Sequence, residues 1–172
     1  MAPTGTDAVA ATPDVVAELF DAYAPVVYRY ARARLSEADA QDVVAEVFVI
    51  AWRRREEQVD HPAAWLLAVA RRVMANQFRA RDRQLALVGR LAGRRPAADD
   101  DETELTHELD LLRRALARLR PADREVVELL AAAELTTAEV AAVLGCTAAA
   151  AATRVHRARQ RLARAYEAVE GR

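Results

Sequence analysis

The strongest constraint on the fold of this chain lies in its last third. Thr136 followed three residues later by Glu139 makes a capping box, Gly145 supplies a residue suited to the left-handed conformation, and Thr147 can cap a further helix. Three independent local signals thus delimit two short helices about one tight turn. That spacing predicts a helix-turn-helix.

At 100° per residue, Ala151, Val155, Ala158 and Leu162 share one narrow stripe of the second helix, the side that packs against the rest of the motif. The opposite side carries Ala149, Thr153, His156, Arg157, Gln160 and Arg164, with no carboxylate among them. Such a face suits the major groove, where Arg reads guanine edges or neutralises phosphate. The alternative is a solvated basic face at the end of a bundle. Residues 148–152 are five alanines, which cannot hydrogen-bond to base edges through their side chains. Direct readout therefore falls to Thr153, His156 and Arg157, with Arg154, Arg159 and Arg161 on phosphates, and binding should be weak and salt-sensitive.

With 172 residues of which 53% are hydrophobic, the chain is not wholesale disordered, and only five glycines among long runs of helix formers predict an all-α protein. A net charge of −1 looks wrong for a nucleic-acid binder until its distribution is read. Arg71, Arg72, Arg79, Arg81 and Arg83 form one basic block and 154–164 another, with the acidic run Asp99, Asp100, Asp101, Glu102 and Glu104 between them. No stretch has the length of a membrane span or the pattern of a signal peptide, so a cytoplasmic protein is expected. Cys146 is the only cysteine, which excludes an internal disulfide and a cysteine zinc site, and its place in the turn predicts a small buried apolar residue. His61, His107 and His156 fall in different segments and no glycine-rich phosphate loop follows a strand, so neither an enzyme nor a metal or other cofactor is expected.

Along the chain, residues 1–13 read as a flexible start, and a helix begins near Asp14, passes Phe20 and Tyr23, meets an interruption or the start of a new turn at Pro25 and continues from Val26 to Leu35. Ser36 caps the next helix, Glu37 to about Arg55, with a core stripe of Val43, Val47, Ile50 and Ala51, an adjoining band of Val44, Phe48 and Trp52, and an acidic edge of Asp39, Asp42 and Glu46. Pro62 opens a third helix to about Arg83, whose core stripe is Leu66, Val69, Ala70, Val73 and Gln77. Another of its faces lines up Trp65, Arg72, Asn76, Arg79 and Arg83, the aromatic-plus-arginine composition that suits a nucleic-acid strand with exposed bases; the alternative, which Trp65 taken alone favours, is a core anchor beside solvated arginines. Gly89, Gly93, Pro96 and the acidic run then break the pattern over 85–107. A helix from Leu109 to Leu119 with Leu112, Leu116 and Leu119 follows, and Pro121 starts another that leads to the helix-turn-helix. The expected architecture is two small helical bundles, 14–84 and 108–172, joined by a flexible acidic linker, with the helix-turn-helix in the second.

With these segments in order, the chain resembles the bacterial extracytoplasmic-function (ECF) sigma factors. Asp39 to Phe48 through Ala51-Trp52 is similar to that family's region 2.2, Pro62 to Arg71 to the start of regions 2.3 and 2.4, and Leu119 to Val126 with Leu135 to Leu162 to region 4. The resemblance implies core RNA polymerase and promoter DNA as partners, with an anti-sigma factor as a further one. It implies polymerase docking by Asp39, Asp42, Glu46, Phe48 and Val49, capture of the melted −10 element by Trp65, Arg72, Asn76, Arg79 and Arg83, and −35 recognition by Thr147, Ala152, Thr153, Arg154, His156, Arg157 and Gln160. The sequence departs from the family pattern at Ala152, where a basic residue is common, at Ala149, where glycine is, at Ala45, where glutamine is, and at Arg72, where asparagine is. A rival reading keeps the same helix-turn-helix in a stand-alone regulator whose first bundle senses a ligand or dimerises.

Overall fold

A computed structural model describes residues 12–55, 59–88 and 107–171. Seven helices and no strand occur among them: α1 (Thr12–Arg32), α2 (Glu37–Arg53), α3 (Pro62–Val88), α4 (His107–Ala117), α5 (Pro121–Ala132), α6 (Thr137–Leu144) and α7 (Ala148–Glu170).

The local start signals act as their chemistry requires. Ser36 Oγ accepts from the Asp39 amide at 3.3 Å and donates to the Asp39 carboxylate at 2.8 Å. Pro121 opens α5, where its missing N–H is one of the amides a first turn leaves unpaired in any case. Pro25 lies inside α1, which runs through it. Of the two readings of Pro25, the interruption is absent, because Val27, Tyr30 and Ala31, all fully buried, hold the following turns against the core.

The first three helices pack against one another, and α2 is sandwiched by α1 and α3 as its wide apolar surface predicts. Their core is Val27, Tyr30, Val43, Val47, Leu66, Leu67, Ala70 and Met74, and it runs without a break into Val126, Leu129, Val140 and Ala151 of α5, α6 and α7. The halves thus share apolar packing, through α1 on α5 and α3 on α6, where the sequence suggests two separate bundles. A second, small cluster of Leu111, Ala115 and Val169 ties α4 to the end of α7. It corrects the stripe expected for α4, since Leu112 is exposed and Leu116 and Leu119 only half-buried. Residues 85–88 continue α3 and His107 begins α4, so the expected linker is shortened at both ends. Its remainder, 89–106, and residues 1–11 of the expected flexible start lie outside the described residues, whereas Thr12 and Pro13, also expected in that start, already belong to α1.

Gly145 closes α6 at φ 64° and ψ 43°, the left-handed conformation, and a Cβ added there would meet no atom within 4 Å. Only backbone strain opposes a side chain at this position. Gly145→Val should therefore cost about 1–2 kcal/mol, while Gly145→Asn costs less because Asn tolerates this conformation. Urea unfolding midpoints check the order; equal stability of the two variants would refute it.

Candidate nucleic-acid and partner interfaces

The helix-turn-helix is built by its caps. Thr136 Oγ1 accepts from the Glu139 amide at 3.3 Å, and the Glu139 carboxylate accepts from the Thr136 amide at 2.7 Å, the reciprocal pair of a capping box. The hydrogen bonds from Thr136 hold the Glu139 carboxyl below its ordinary pKa, helped by His61 Nδ1 at 3.3 Å. Thr147 Oγ1 accepts from the Ala150 amide at 3.2 Å and starts α7, which leaves α6 at 101°.

Ala151 and Ala158 are buried and Val155 and Leu162 half-buried, so the packing stripe of α7 stands as expected. Thr147, Ala149, Ala152, Thr153, Arg154, His156, Arg157, Arg159, Gln160 and Arg164 face solvent together. Thr153 Oγ1 donates back to the Ala149 carbonyl at 3.0 Å, which leaves its oxygen as an acceptor for a partner. Arg161 departs from its expected place on phosphate. Its guanidinium is ion-paired with Asp123 of α5, a carboxylate only 8% exposed, and so fixes α7 against α5. Periodicity gives no hint of this pair; the need of a buried carboxylate for a partner does. Cys146 is half-buried and packs against the core, less enclosed than its position in the turn suggests.

On α3, Arg72, Asn76, Arg79 and Arg83 form an exposed column, with Arg79 hydrogen-bonded to the Asn76 side-chain oxygen. Trp65 at its head is half-buried, packs against the core, and lines a cleft with Val16, Leu19, Arg54, Arg55 and Pro62. Two members of the basic block are committed within the protein. Arg71 Nε donates to Glu125 at 2.9 Å and Arg81 to Asp39 at 2.5 Å.

On α2, Asp42 and Glu46 point to solvent, whereas Asp39 is half-buried and its carboxyl is held below its ordinary pKa by hydrogen bonds from Arg81 and Ser36. Phe48, expected on the docking face, is 7% exposed and meets Phe20 of α1 edge-on at 4.8 Å, so its ring supports the α2 surface from beneath. Val49 and Trp52, 48% and 43% exposed, carry the apolar part of that surface, and the Arg55 guanidinium lies over the Trp52 ring at 4.8 Å. Among the described residues no single helix is long and apolar enough to cross a membrane.

The described residues thus form a three-helix unit with an acidic face and an arginine column, followed by a capped helix-turn-helix. Residues 19–84 match the family Sigma-70 region 2 and residues 109–162 match Sigma-70, region 4. The chain is 32% identical over 154 residues to the ECF RNA polymerase sigma factor SigL of Mycobacterium tuberculosis, covering 87% of each. It is 32% identical over 164 residues to the ECF RNA polymerase sigma factor BldN of Streptomyces coelicolor, covering 91% of this chain and 62% of that longer relative. Among solved structures it is similar to CnrH in complex with the cytosolic domain of CnrY, with a TM-score of 0.62, 27% identity, and coverage of 90% and 89%. The fold is also that of the sigma factor RpoE in complex with the anti-sigma factor NepR from Bartonella quintana, with a TM-score of 0.71, 24% identity, and coverage of 90% and 97%. The chain belongs to the ECF RNA polymerase sigma factors. Members of this family are transcription initiation factors that bind core RNA polymerase and direct it to promoters.

Proposed function

We propose that the three exposed surfaces divide the work of initiation. The α2 face of Asp39, Asp42, Glu46, Val49 and Trp52 docks on the polymerase, the α3 column with Trp65 captures unpaired −10 bases, and α7 reads the −35 element through Thr153, Arg154, His156, Arg157 and Gln160. On this reading 14–84 is the docking and melting unit, 108–172 the −35 unit, and the protein works in the cytoplasm without catalysing bond chemistry. Melting follows from differential binding: unpaired bases that stack on protein and pair with arginines shift the duplex equilibrium toward the open form. The observation that carries this reading is the placement of two outward arginine surfaces on different halves, with solvent-facing Asp42 and Glu46 on a third helix. A cytosolic anti-sigma segment is the further partner, by analogy with CnrH and CnrY.

The test is comigration of the full chain with core RNA polymerase on gel filtration. Asp42→Arg with Glu46→Arg should weaken it at least tenfold, since each reversal turns an attraction into a repulsion. Neither side chain is buried, so the variant keeps its fold. No comigration of the parent chain, together with tight binding of a DNA site by the free protein, would favour the stand-alone regulator.

A further inference from the structure

The outward face of α7 changes character along its length. From Ala148 to Thr153 the solvent-facing side chains are Ala148, Ala149, Ala152 and Thr153, and the longer donors Arg154, His156, Arg157 and Gln160 follow. Ala149, Ala152, Thr153, His156 and Gln160 fall within one arc of about 100°, so methyl groups and donors meet the same partner surface one after the other. Ala151, on the opposite side of the helix, is fully buried in the core and fixes this stretch in place. Alanine has no rotamer to freeze, so its contacts cost no side-chain entropy.

Between Ala148 and Thr153 the side chains of this face offer a base edge no hydrogen-bond donor. The alanines carry none, and the Thr153 hydroxyl proton is committed to the Ala149 carbonyl at 3.0 Å. Toward a base edge Thr153 therefore only accepts. In the major groove guanine and thymine present acceptors alone, whereas adenine and cytosine carry an amino donor, so Thr153 is restricted to adenine or cytosine. The neighbouring methyl groups discriminate between those two. An A·T pair sets the thymine 5-methyl group beside the adenine amino group, and a G·C pair has nothing apolar to offer in its place. From Ala149 to Thr153 the helix rises about 6 Å, which matches about two base-pair steps of 3.4 Å.

We propose that Ala149, Ala152 and Thr153 select A·T pairs in the −35 element by packing on thymine 5-methyl groups. This rests on the assignment of −35 reading to α7. The two stretches of the face then read consecutive parts of the element: A·T pairs under the first turns, and a G·C pair next to them, where Arg157 meets guanine O6 and N7. Affinity comes mostly from the arginines on phosphate and guanine, and the alanine turns add selectivity without a single side-chain hydrogen bond of their own.

The test uses the full chain bound to core RNA polymerase and a duplex pool randomised through both promoter elements. The enriched −35 element should carry adjacent A·T pairs beside a G·C pair. Uracil in place of thymine at these pairs removes only the methyl group and should weaken binding about fourfold per methyl, the loss expected for one buried methyl group. Replacing one such pair by G·C should also weaken binding, and 5-methylcytosine in place of the cytosine should recover part of the loss, which a preference for A·T duplex shape would not produce. Ala152→Arg, at an exposed site, should steepen the slope of log affinity against log salt by about 0.9 and remove the uracil effect at the pair beneath it. A uracil promoter bound as tightly as its thymine parent, or an Ala152→Arg variant that keeps the whole uracil effect, would overturn the methyl contact. If Arg154→Ala with Arg157→Ala still weakens binding in that case, α7 remains the −35 reader; if that variant too binds like the parent, the assignment of α7 falls as well.

Discussion

Leu66→Ala is expected to lower the unfolding free energy by about 3–5 kcal/mol, the cost of removing a large aliphatic side chain from a site that cannot collapse around the void. Leu66 is 0% exposed, sits on α3 beside Trp65, and belongs to the core that continues into the second half. Domains of this size are stable by only about 5–15 kcal/mol, so the loss is a large fraction of the total. Urea unfolding should show a lower midpoint with an unchanged slope. Val49→Ala, at a residue 48% exposed, should move the same midpoint by less than about 1 kcal/mol. A drop below about 1 kcal/mol for Leu66→Ala would mean that the α3 core is loosely packed, and with it the footing of the Trp65 to Arg83 column.

What the sequence disclosed, and what it hid, follows from the range of each interaction. The capping box, the left-handed Gly145 and the Thr147 cap involve residues three apart or fewer, so their signals are complete within a few letters. The α7 stripe was equally legible because Ala151, Val155, Ala158 and Leu162 recur at spacings of four, three and four, with arginines between them. In α4 and just beyond it, by contrast, Leu109, Leu111, Leu112, Leu116 and Leu119 fit two stripes about 100° apart, and only Val169, near the far end of α7, selects the one through Leu111 and Ala115. Phe48 and Trp52 belong to one apolar band by periodicity, yet Phe20 covers one and leaves the other exposed. Arg34, Arg71 and Arg161 look like any surface arginine in a chain with 25 of them. Their acidic partners lie 94, 54 and 38 residues away, and no local pattern encodes such pairings. The candidate DNA faces were therefore readable as helix faces, whereas the contact that brings the halves together was not.

That difference separates arginines of α7 that one pattern groups together. Arg154→Ala with Arg157→Ala should weaken binding of −35 duplex by the polymerase-bound factor roughly a hundredfold to a thousandfold, since one good bidentate base contact is worth about 1–3 kcal/mol and a phosphate contact adds to it. Each phosphate neutralised contributes about 0.9 to the slope of log affinity against log salt, so the double variant should also flatten that slope by about one to two. Arg161→Ala should leave the slope where it was. Arg161 is spent on Asp123, and its loss leaves a buried carboxylate unpaired, so the damage should appear in unfolding, as a loss of about 1–3 kcal/mol. Fluorescence anisotropy across a salt series, beside urea unfolding of the same variants, reads both quantities. An Arg161→Ala variant that flattens the salt slope without loss of stability would put that side chain on DNA and undo its assignment to the α5–α7 contact. A double variant with the parental slope would take α7 off the phosphate backbone altogether, because a helix lying in the major groove cannot lose two outward arginines without returning counterions to the duplex.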